Sequence, residues 1–103
     1  MSVPFMPKVA IKAIEILTEP AFAQADHQLV ADALCRRIPD QHPILIDEHL
    51  QFAVDLIKSA KRFAEQINAG NLSRADALDR LGKSFNAFET ESIARALGFA
   101  LQA

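Results

Sequence analysis

Residues 45–69, LIDEHLQFAVDLIKSAKRFAEQINA, decide the fold. Ile46, Leu50, Ala53, Ile57, Ala60 and Ala64 form one apolar stripe, and Phe52, Leu56 and Phe63 form a second beside it, with His49 between the two. Three- and four-residue steps are the period of a helix, and no strand alternation competes with them. Together the stripes cover about 200° of the cylinder. The segment predicts a long central helix 3, about 36 Å from end to end. Gly70 stands where a C′ glycine closes a helix.

On the N-terminal side, Pro39-Asp40-Gln41-His42-Pro43 reads as a loop. Before it, Phe22, Leu29, Val30, Ala33, Leu34 and Ile38 predict helix 2 over 20–38, with Thr18 as its N-cap and Pro20 in its first turn. Helix 1 is expected over 8–17, where only Lys8, Lys12 and Glu15 interrupt an apolar run. Val3-Pro4-Phe5-Met6-Pro7 reads as an extended arm, because proline fixes φ and biases the preceding residue towards extended backbone. On the C-terminal side, Ser73 with Asp76 resembles a capping box and Leu72 a hydrophobic staple. Ala77, Leu78, Leu81, Phe85 and Phe88 share a stripe, whereas Ile93, Leu97, Ala100 and Leu101 lie about 120° around from it, which predicts a break or kink near Thr90. The expected fold is all-α: a single domain over 1–103, the arm 1–7 followed by a small four- or five-helix bundle with antiparallel neighbours.

Composition agrees. Eighteen alanines against three glycines favour helix, and 31 Leu, Ile, Val and Phe residues among 103 argue against disorder. The net charge of −2 carries no basic excess for a phosphate backbone, so nucleic acid is not an expected partner. Charge is uneven along the chain, at −3 over residues 26–50 and +2 over 51–75. Cys35 is the only cysteine and cannot form an internal disulfide. The first residues lack the basic start of a secretory leader, and no run of about 18 uncharged apolar residues offers a membrane span. A cytoplasmic protein is expected.

Chemistry-bearing residues are sparse. His42, Asp47, Glu48 and His49 are metal-capable, but three consecutive helical positions fan out by about 100° each. The plainer reading gives Asp47 and Glu48 to the helix dipole and His49 to the flank of the core. Arginines beside Cys35 would lower a thiol pKa, but a helix C-terminus opposes a thiolate. The string 91–99 resembles the first helix and turn of a helix-turn-helix, without room for a reading helix after it. Phosphate-binding, dinucleotide and nucleophile-elbow motifs are absent. Phe52, Phe63, Phe85 and Phe88 either pack a core or line an apolar cavity. Lys58, Lys61 and Arg62 form the one basic cluster, a solvated face or a contact for an anion or an acidic partner.

The apolar arcs of helices 1 and 3 exceed what a small body buries by itself. The expectation is therefore a non-enzymatic, cofactor-free protein–protein interaction module, a cytoplasmic regulator or adaptor acting as a homodimer. Phe5, Ile11, Ile14, Phe52, Leu56 and Phe63 are its expected interface. A ligand- or metal-binding bundle is the alternative.

Overall fold

Prolines and short polar side chains set where the helices begin and end. The computed structural model describes residues 5–22 and 25–102. Helix α1 spans Pro7–Leu17, entered from an extended Met6 whose carbonyl accepts the Val9 and Ala10 amides. Pro7 takes the first helical position, where its missing N–H costs nothing. The helix thus takes in one residue expected in the arm, and residues 1–4 lie outside the described residues.

Thr18 does not start the next helix. It ends α1, with its hydroxyl donating to the carbonyls of Ile14 at 2.8 Å and Glu15 at 3.2 Å. The expected helix over 20–38 is split. Pro20–Phe22 is a single 3₁₀ turn, and α2 begins only at His27, spanning His27–Arg37. Asp26 makes the break: in extended backbone, its carboxylate accepts the Leu29 amide at 2.8 Å and caps the new helix. Residues 23 and 24 lie outside the described residues.

Helix α3 spans Pro43–Asn68. His42 serves its N-terminus through Nδ1, which accepts the Ile44 amide at 3.1 Å, and through its carbonyl, which accepts the Ile46 amide. At the other end Gly70 has φ +80°, donating to the Ile67 carbonyl, while Asn71 donates to that of Gln66. This is the double bond of a Schellman closure, and it needs the left-handed residue that glycine supplies. Helix α4, Arg74–Ser84, is capped by Ser73, whose hydroxyl accepts the Asp76 amide at 3.1 Å. The helix stops at Phe85 and α5 runs over Thr90–Gln102, so the phase slip marks a true break.

The protein is all-α, a small bundle of five α-helices with a long α3 and no strand among the described residues. It divides into two compact units, residues 1–54 and 55–103. In the first, α1 packs on α2, and Val9, Ile14, Ile16 and Leu34 are buried together with Ile46, Leu50 and Ala53 of α3. In the second, α4 packs on α5, and Leu81, Ile93 and Leu97 are buried together with Leu56, Ile57, Ala60 and Ala64 of α3. Every member of the expected first stripe of α3 is buried. No helix among the described residues is long and apolar enough to cross a membrane.

Loss of the Ser73 cap tests this reading of α4. Ser73→Ala should lower the free energy of unfolding by about 1 kcal/mol, read from the shift of the urea midpoint. An unchanged midpoint would mean that the cap contributes nothing to α4.

Candidate functional site

His49 is the most tightly held polar side chain of the first unit. It sits on the buried side of α3 with no solvent exposure. Its Nε2 accepts the Met6 amide at 2.7 Å, and its Nδ1 donates to the Leu45 carbonyl one turn back at 2.8 Å. That pattern is the neutral Nδ1–H tautomer, with both ring nitrogens used. Phe5 lies tilted against the ring and Phe52 meets it edge-on, with centroids 5.4 and 5.5 Å away, and the two phenylalanines stand 6.0 Å from each other. The segment entering α1 is thereby held to α3 across 43 residues of sequence. His49 is a positioning residue of the fold.

The other metal-capable side chains turn to separate tasks. His42 caps α3, and Asp47 accepts from His27 Nε2 at 2.7 Å in an exposed pair. No group of three His, Cys, Asp or Glu residues suited to a metal ion occurs among the described residues. Cys35 is a free, partly exposed thiol. Arg37 forks onto Glu19 at 2.7 and 3.0 Å, and this hydrogen bond holds the guanidinium above its ordinary arginine pKa. The pair is exposed and fastens the end of α2 to the residue beyond α1 without contributing much stability.

The six expected interface residues divide into two groups. Ile14 and Leu56 are consumed by the core, at 1% and 0% exposure, and offer a second molecule no surface. Phe5, Ile11, Phe52 and Phe63 remain partly exposed, the first and third of them through the cluster around His49. Part of the wide apolar arcs of α1 and α3 is thus covered within the chain. Sequence reasoning missed Leu29 and Ile44, the large apolar side chains that stay most open, at 55% and 62%. Both follow a cap by two or three residues, which is the signal that places them at an open helix start.

Lys58, Lys61 and Arg62 are exposed on α3. Each unit also carries a shallow groove. In the first, Leu17, Ala25, His27, Val30, Leu50 and Val54 line about 240 Å³. In the second, Leu78, Gly82, Thr90, Ile93 and Ala94 line about 280 Å³ beside the Lys83–Asp79 ion pair. Neither groove is lined by a phenylalanine. Phe85 and Phe88 instead meet edge to face at 6.2 Å, and Phe52 joins His49, so the four rings do not line these grooves as a set.

No protein-family model, curated protein or solved structure matches the chain.

Two substitutions test these placements. His49→Leu leaves the Met6 amide without its acceptor, which should cost about 1–3 kcal/mol and speed hydrogen exchange at Met6. Unchanged stability and exchange would show that this bond does not hold the segment. Leu56→Ala should lose about 2–5 kcal/mol at every protein concentration. A loss that appears only on dilution would return Leu56 to an interface.

Proposed function

We propose that the chain is a non-enzymatic helical protein–protein interaction module, a cytoplasmic regulator or adaptor that acts as a homodimer. The observation that carries this reading is the open apolar surface of the first unit. Leu29 and Ile44 are each more than half exposed. Each stands close in sequence to one member of a bonded pair, Leu29 two residues after His27 and Ile44 three before Asp47. The groove that His27 lines belongs to the same unit. Single exposed leucines are ordinary, but two large open apolar side chains and a groove in one small unit suit a surface that another protein covers. The lone thiol of Cys35 suits a reducing compartment, where thiols stay free.

A small-ligand reading rests on the same groove. At about 240 Å³ it is below the size usual for ligand sites, and His27 is the polar group on its wall. Medium-chain fatty acids that raise the melting temperature would favour this reading.

Native mass spectrometry at tens of micromolar protein should show a species at twice the 11.3 kDa chain mass. Ile44→Ser should reduce its population while leaving far-ultraviolet ellipticity unchanged. A monomer at every concentration would refute the homodimer.

A further inference from the structure

The groove of the first unit has an apolar floor and acidic surroundings. Leu17, Ala25, Val30, Leu50 and Val54 line it with His27, and all six belong to residues 1–54. His27 Nε2 stands 2.7 Å from Asp47 Oδ1, which sets that carboxylate beside the groove wall, with 64% of the Asp47 side chain open to solvent. Asp26 is exposed and stands in the chain between two lining residues, Ala25 and His27. Residues 1–54 carry a formal charge of −3, from four bases against seven acids. Within three residues of a lining position the unit has six of those acids, Glu15, Glu19, Asp26, Asp32, Asp47 and Glu48, and no lysine or arginine. Lys12 and Arg37 are bonded to Glu15 and Glu19, and among the described residues no lysine or arginine pairs with the other four. Lys8 and Arg36, the unit's remaining bases, lie nine residues before Leu17 and six after Val30. Beyond Val54, Asp55 and Lys58 open the second unit with one charge of each sign.

We infer that this groove docks a segment of a partner protein that is both apolar and basic. An aliphatic side chain of the segment enters the groove, and a lysine or arginine beside it meets Asp47 and Asp26. The inference rests on the interaction-module reading above and names the partner's chemistry. At about 240 Å³ the groove is below the size usual for a ligand site and has room for an aliphatic anchor. An apolar anchor seated in a groove is how amphipathic segments are recognised. The carboxylates choose among apolar segments. Asp47 takes the His27 bond through Oδ1 and Asp26 takes the Leu29 amide through Oδ1. A carboxylate accepts about four hydrogen bonds, so each keeps lone pairs for an ammonium or guanidinium group. An acidic segment meets like charge here, and so does a nucleic acid or an anionic lipid surface. Exposed ion pairs are individually weak, so the charges set specificity and salt sensitivity while the apolar anchor supplies affinity.

A display library of random-sequence peptides, panned on the full chain at low salt, tests this. Enriched peptides should be net positive and carry Leu, Ile, Val or Phe within one helical turn of Lys or Arg. One of them, synthesised, should move the nitrogen-15 amide shifts of Ala25, His27, Val30, Leu50 and Val54. The double variant Asp26→Asn, Asp47→Asn removes both charges while keeping a helix cap and an acceptor for His27. Circular dichroism checks that it remains helical, and it should bind the peptide at least tenfold more weakly. Wild-type binding should weaken at least tenfold as ionic strength rises from about 0.01 M to about 1 M, where the screening length falls from about 30 Å to about 3 Å. Enriched peptides that are acidic or uncharged, an unchanged affinity of the double variant, or shifts confined to other residues would overturn the basic partner at this groove and leave the interaction module standing. Groove amides that shift on dilution of the protein alone would seat a second copy there, which also overturns it. A library without a binder overturns the inference, and a chain that is monomeric at every concentration as well overturns the interaction reading itself.

Discussion

A helix of this length cannot hide both of its faces, and that constraint on α3 governs the rest of the structure. Its buried stripe supplies core residues to both compact units, from Ile46, Leu50 and Ala53 in one to Ile57, Ala60 and Ala64 in the other. A fully buried aliphatic side chain contributes about 1.5–3 kcal/mol, and no cap or surface ion pair in the molecule approaches the sum along this stripe. The pairing of α1 with α2 belongs to the first unit and that of α4 with α5 to the second. Elsewhere on its surface α3 carries exposed charged side chains, among them Asp47, Glu48, Lys58 and Arg62.

Much of this was legible in the sequence, for local reasons. Ser73 and Gly70 act through bonds to residues no more than a few positions away, so their types alone announce a helix start and a helix end. The buried stripe of α3 and the break before Thr90 are periodicities, which survive without knowledge of the partner. Thr18 shows where local signals compete. A threonine two residues before a proline reads as an N-cap, but the same hydroxyl can bond carbonyls of the preceding turn, and here it does. Asp26 carried the real start of α2, in a stretch whose apolar spacing passed over it.

The candidate site was less legible because exposure depends on neighbours. A wide apolar arc signals that more than one surface lies against a helix, without saying whether those surfaces belong to the same chain. For Ile14 and Leu56 they do. The bond from Met6 to His49 joins positions 43 apart, and nothing in either residue announces the other.

The central claim is that the buried stripe of α3 supplies core residues to both compact units. Native-state hydrogen exchange of the backbone amides, followed by NMR, tests it most directly. The amides of Leu50, Ala53, Ile57 and Ala60 should be among the slowest to exchange, opening only when their units unfold. Amides along α3 that exchange faster than those of α1 and α4 would contradict it.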